Sequence, residues 1–147
     1  MTHENRKLAI RWFEEVWNQG RREVIAEMLP PDGVIFDGAT ASTGPDGFYP
    51  FFDRMRDTFS GMHLTIEKTI VEEDHVCVRW SCSMKHTGDG LGIKPTHKTV
   101  SITGISIIHF AHGKVVQGWQ NWDMFGLMQQ LQESANAPPI YLGAAAV

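Results

Sequence analysis

Between Gly61 and Trp122 the chain is punctuated as a series of long strands, and this limits the possible folds more than any other feature. From His75 to Lys85, Val76, Val78 and Trp80 alternate with Cys77, Arg79 and Ser81, the period-two signature of a strand with one buried face. Leu64, Ile66, Ile70 and Val71 predict a strand before it, ended by Glu72-Glu73-Asp74. Residues 98–110 and 115–122 predict two more, joined by the tight turn Ala111-His112-Gly113-Lys114. If Phe110 and Val115 flank that turn, partner numbers sum to about 225, uncertain by one. Ser106 then faces Trp119 or Gln120 across the hairpin.

The part before Gly61 reads differently. Residues 5–18 predict a helix with Ile10, Phe13 and Trp17 on one face, ended by Asn18-Gln19-Gly20. A shorter helix at 21–29 stops at Pro30-Pro31, and VIFD (34–37) predicts a short strand. Gly44-Pro45 opens a third helix striped by Phe48, Phe51, Phe52, Met55 and Phe59, where Pro50 is tolerable only in the first turn. TGDGLGIKPTH (87–97) is a loop, and 124–131 a closing helix. Helices first and hairpin-linked strands after them argue α+β: N-terminal helices over one face of a curved, mainly antiparallel sheet that encloses a conical pocket. Residues 1–133 form one expected domain; 134–147 are a tail expected to be mobile or to dock on a partner subunit.

Several function classes fall away. A net charge of −4 and the lack of a basic run argue against nucleic acid. No run approaches eighteen apolar residues, so no membrane span is expected, and the polar N-terminus MTHENRKLAI does not read as a signal peptide. Cys77 and Cys82 lie on one predicted strand, about 16 Å apart, too far for a disulfide; free thiols fit a reducing cytoplasm. The histidines are scattered, with His109 and His112 split between a strand end and a turn, so no metal site is expected. Gly88-Asp89-Gly90-Leu91-Gly92 sits between two strands with no helix after it, which argues against phosphate binding.

Three stretches carry a resemblance: WFEEVWNQG (12–20), VRWSCSMKHTGDGLGIKPT (78–96) and GISIIHFAHGKVVQGWQNWDMFGLMQQL (104–131). Together they resemble the SnoaL-like polyketide cyclases of the NTF2-like, cystatin-like group, over most of residues 5–132. The resemblance implies a conical α+β barrel with a deep apolar pocket, often dimerising through its sheet. It implies a cofactor-independent intramolecular aldol step on a small apolar or aromatic ligand, driven by an Asp with help from a His. In that pattern the Asp lies three residues before the Asp of the W-D motif, and the His opposite it. Here those positions are Gln120 and Ser106, neither of which takes a proton from carbon at neutral pH. Limonene-epoxide-hydrolase-like enzymes of the same group use two Asp and an Arg; the Arg matches Arg79, while the acids fall at Ser81 and Gln120.

Asp123, set among Trp119, Trp122 and Phe125, admits two readings. It caps the helix beginning at Met124, or it turns into the pocket, where apolar neighbours make a general base of it. In the enzyme reading, Asp123 is the base and Arg79 anchors a carboxylate or enolate oxygen. Gln120, Ser106 and Ser81 orient the substrate, and Trp17, Phe52, Met55 and Trp122 form the wall. In the competing reading the protein binds a ligand and has lost the chemistry. Arg79 is also read as half of a structural ion pair with a neighbouring acid. His86 could line a pocket mouth but is expected in a surface or loop-ordering role, and His109 as an edge residue. Asp37 ends the first strand and could face the mouth, with a turn role the favoured reading.

Overall fold

A computed structural model describes residues 2–132. Helix α1 (Thr2–Arg11) runs without a break into a π-helical stretch, Trp12–Asn18, followed by α2 (Arg22–Met28). Its buried stripe is Ala9, Trp12, Phe13, Val16 and Trp17, not one centred on Ile10, which is 41% exposed. Including Trp12 shifts the stripe, because an indole buries far more apolar area than an isoleucine. The wider π turn ends on Asn18, whose amide donates to the Leu64 carbonyl (2.9 Å) and accepts from the Leu64 N–H (2.6 Å). That clamp fixes the helix against the sheet.

Then come β1 (Val34–Asp37), β2 (Thr40–Thr43), α3 (Gly44–Thr58), β3 (Phe59–Glu72), β4 (His75–His86), β5 (Thr99–Ala111), β6 (Lys114–Trp122) and α4 (Met124–Gln132). Strand β2 is absent from the sequence expectation, since Thr-Ala-Ser-Thr offers no apolar alternation. Pro50 lies beyond the first turn of α3. The carbonyl it leaves unpaired belongs to Asp46, an exposed residue, so water can take the lost partner's place.

The six strands form one sheet in the order β2-β1-β6-β5-β4-β3. All pairs are antiparallel except β1 with β6, which is parallel. The expected barrel does not close: β2 and β3 remain edges, and α3 spans the gap, touching both. The β5–β6 turn is the two-residue His112–Gly113, with φ of 53° and 76°, the primed geometry that matches strand twist. Ala111 pairs with Lys114 and Phe110 with Val115; a bulge beside His109 then shifts the register by one, setting Ser106 opposite Gln120.

Alternation sorts the faces. Val76, Val78, Trp80, Cys82, Met84 and His86 of β4 point inward under the helices, as do Val100, Ile102, Gly104, Ser106, Ile108 and Phe110 of β5. Phe48, Phe59 and Phe110 are fully buried, each contributing about 1.5–3 kcal/mol of apolar transfer. Gly104 has a packing reason: a Cβ there would stand 2.3 Å from the Trp80 ring. Tail residues 134–147, expected as a mobile or docking segment, lie outside the described residues.

Candidate functional site

The inner face of the sheet and the helices leave an apolar cavity whose empty space, open solvent included, is about 430 Å³. Phe13, Trp17, Met55, Trp80 and Met84 form its walls, and Gln120 and Trp122 stand at its outer end. The mouth lies between the β1–β2 hairpin, α3 and the end of β6. Gln120, Trp122 and Phe51 belong to both cavity and mouth.

Among the described residues one carboxylate reaches this place, that of Asp37. It is the last residue of β1, and the parallel pairing of β1 with β6 sets it beside Gln120. The Trp122 indole N–H donates to both its oxygens, at 3.2 Å and 3.4 Å. The Gln120 amide donates to Oδ2 at 3.3 Å. The hairpin fixes the backbone: the Thr40 hydroxyl donates to the Asp37 carbonyl at 2.9 Å, and Gly38 N–H donates to the Gln120 carbonyl at 3.4 Å. Asp37 is half-buried, so its carboxylate is ordered by neutral donors while still open to the mouth. A carboxylate held this way can accept a proton or receive a hydrogen bond from a ligand. The second hydrogen and the side-chain oxygen of the Gln120 amide have no partner among the described residues, and Gln120 lines the cavity.

The other expected site residues divide by face. Ser106 is inward and 5% exposed; its hydroxyl accepts from the Trp80 indole at 3.1 Å, behind Gln120. Trp17, Met55 and Trp122 line the cavity, whereas Phe52 packs against Trp17 (ring centroids 5.3 Å apart) in the core behind it. Phe51 takes the wall position. Asp123 is exposed and caps α4: its Oδ1 accepts from Gly126 N–H at 2.8 Å and its carbonyl from Leu127 N–H at 3.0 Å. Arg79 is exposed on the outer face, paired across strands with Lys68 and Ile105. It shares a shallow outer depression with Asp123, on the other side of Trp122 from the cavity. Ser81 also faces outward and donates to Glu67 at 2.7 Å. The structure therefore gathers Gln120, Trp122, Trp17 and Met55 at the cavity, and leaves Asp123, Arg79 and Ser81 outside it.

Two further groups stand near these residues. Of the two roles expected of His86, it takes the loop-ordering one and is fully buried: its Nδ1 accepts from Thr96 N–H at 3.1 Å, which orders the 87–98 loop. Cys82 lines the cavity, and burial pushes its thiol up to about 11, so it stays protonated near neutral pH. Asp37 is the residue sequence reasoning placed in a turn. The signal that it belongs to the site is its pairing with β6, a contact across 83 residues of sequence.

Residues 7–131 match the family model of SnoaL-like polyketide cyclases. The chain is 29% identical over 131 residues to aklanonic acid methyl ester cyclase AcmA of Streptomyces galilaeus, covering 85% of this chain and 89% of that one. Its fold is similar to that of a proposed SnoaL-like polyketide cyclase from Jannaschia sp. CCS1, with a TM-score of 0.83, 23% identity, and 95% and 96% of the two chains covered. It is equally similar to AclR, a proposed hydroxylase from Streptomyces galilaeus, with a TM-score of 0.83, 23% identity, and 94% and 91% covered. At that identity the two structures speak for the fold alone.

Proposed function

Because the chain belongs to the SnoaL-like polyketide cyclase family, we propose that it is a cofactor-independent enzyme that takes a proton from carbon in a small apolar, polyketide-like molecule, with Asp37 as the base. The observation that carries this reading is the Asp37 carboxylate at the cavity, held by the Trp122 and Gln120 donors. The positions of the cyclase pair are Gln120 and Ser106, which cannot abstract a proton; a carboxylate arriving from β1 supplies the missing group beside them.

In such a cyclisation, Asp37 takes a proton from the carbon next to a ligand carbonyl, and the electron pair moves onto the carbonyl oxygen. The free hydrogen of the Gln120 amide is placed to meet that oxygen. The enolate carbon then attacks a second carbonyl of the same molecule, forming a carbon–carbon bond. The resulting alkoxide recovers the proton from Asp37, so the product is an isomer of the substrate. Apolar walls of Trp17, Met55 and Trp80 suit a flat ring body and keep water from the enolate.

The test is deuterium exchange at the acidic carbon of 2-tetralone, a bicyclic ketone, followed by NMR. The wild type is expected to exceed buffer, and Asp37→Asn to fall to it. If wild type and Asp37→Asn both match buffer while the ketone binds, the protein is a binder that keeps the pocket without the chemistry. We also infer a homodimer through the outer face, where Ile105, opposite Arg79, is 48% exposed and Ile107, the next outward residue of β5, is 39% exposed. A two-fold there covers this apolar patch with its own copy; Ile107→Lys is expected to yield monomers in light scattering.

A further inference from the structure

One cation stands at the mouth. Among the described residues lining the cavity and its mouth, Arg54 is the only Arg, Lys or His, and Asp37 the only acid. They come from different walls, α3 and the β1–β2 hairpin, and no ion pair joins them. Nearby arginines are engaged. Arg22 forks onto Asp53 at 2.9 Å and 3.0 Å, and Arg56 donates to the Trp17 carbonyl at 2.7 Å. Among the described residues the exposed Arg54 guanidinium has no such partner. Its base, by contrast, is fixed: the Thr58 hydroxyl donates to the Arg54 carbonyl at 2.5 Å. The 87–98 loop passes so close that a Cβ on Gly90 would lie 3.3 Å from Arg54 Cγ. The stem is held and the head is free.

Resting on the reading of this cavity as the ligand site, we propose that its ligand is an amphipathic carboxylate, bound with its ring body among Trp17, Met55 and Trp80 and its carboxylate on Arg54. A guanidinium presents a planar fork that matches a carboxylate with two parallel hydrogen bonds. A methyl ester offers neither the charge nor the second oxygen of equal strength. Among the described residues the cavity behind the mouth carries no cation, so a carboxylate finds its cationic partner at the mouth, on Arg54. Arg54 therefore sets the ligand's direction: anion outward, carbonyl-bearing ring inward. This chain would then select a free acid, where the name of its cyclase relative specifies a methyl ester.

Calorimetric titration of the full chain with naphthalene-2-carboxylate and with its methyl ester tests this. In low salt the wild type is expected to bind the acid about tenfold more tightly than the ester. Arg54→Met should reduce acid binding to the ester's level and leave ester binding unchanged, which also reports that the variant is folded. Arg54→Lys should recover part of the preference. Equal affinity of the wild type for acid and ester, or equal weakening of both by Arg54→Met, overturns the carboxylate assignment alone. If neither compound binds the wild type, the cavity is not the ligand site and both readings fall.

Discussion

The two faces of β4, β5 and β6 carry similar residue types in opposite surroundings. On the outer face, Arg79 and Asp123 are exposed and Ser81 half-buried, and each is satisfied locally or by water. On the inner face, Gln120 and Trp122 line an apolar cavity and donate to Asp37, while Ser106 behind them accepts from Trp80. The outer set has more formal charge and less chemical leverage. A charge in water interacts weakly with anything approaching it, whereas a carboxylate beside a low-dielectric cavity acts at close range on whatever fills that cavity. The period of two assigns each residue to one regime or the other, and a shift of one position exchanges them.

The sharpest way to break this contrast is to remove one carboxylate from each face. Asp37→Asn keeps shape and hydrogen-bonding capacity but cannot accept a proton. Ketone deuterium exchange is expected to drop by about 10²–10⁴-fold. Asp123→Asn should leave the exchange rate within twofold of wild type. The reverse result would return the base to the outer side and overturn the assignment of Asp37.

Cysteine reactivity sharpens the same contrast. Cys77 lies on the outer face, half-buried, and Cys82 on the inner. Burial holds the Cys82 thiol at about 11 against an ordinary value of 9.0. At pH 8 its thiolate fraction is therefore roughly a hundredfold below that of an ordinary thiol. Mass-resolved alkylation with iodoacetamide should label Cys77 first, and Cys82 labelling should keep rising tenfold per pH unit up to about 11. Ligand in the cavity should slow Cys82 alone.

Packing differs between the faces as well. Gly104→Ala forces a methyl group against the Trp80 ring, and overpacking of this kind costs about 1–3 kcal/mol in urea unfolding. Thr103→Ala, one residue away on the exposed side, is expected to change stability by about 0.5 kcal/mol or less. The cost at Gly104 should also disturb the Trp80–Ser106 hydrogen bond behind Gln120.

How far these faces were legible in the sequence depends on the range of the contact. Ser106 facing Gln120 followed from a turn six residues away, because a two-residue hairpin sets its own register; the bulge beside His109 decided between two neighbours. Val78-Arg79-Trp80 already carried the alternation that turns Arg79 away from the cavity. The analogy with an epoxide hydrolase drew it toward the site, and the physical pattern was the better guide. Asp37 had only a weak local signal, its place at the end of a strand that could face the mouth. A four-residue strand ending in Asp reads as a turn, and only pairing with a strand 83 residues on makes it part of a pocket. The open sheet was equally hidden, since nothing local in β2 or β3 states whether those edges meet.

The smallest expected effect concerns the residue whose surroundings look most catalytic in sequence. Asp123 has two tryptophans and a phenylalanine within four positions, yet Phe125 is 52% exposed and the Asp123 carboxylate faces solvent. Its Oδ1 takes the N–H of Gly126, one of the backbone donors that the first turn of α4 leaves unpaired. Asp123→Ala removes that acceptor and is expected to cost about 1 kcal/mol of stability, read as a lower urea midpoint with an unchanged slope. Asp123→Ser restores an acceptor at the same place and should recover most of the loss. A base cannot be replaced by serine, but a helix cap can. Rescue by serine, with exchange activity constant across all three proteins, would show that apolar neighbours along the chain do not make an acid catalytic when the strand's parity turns it toward water.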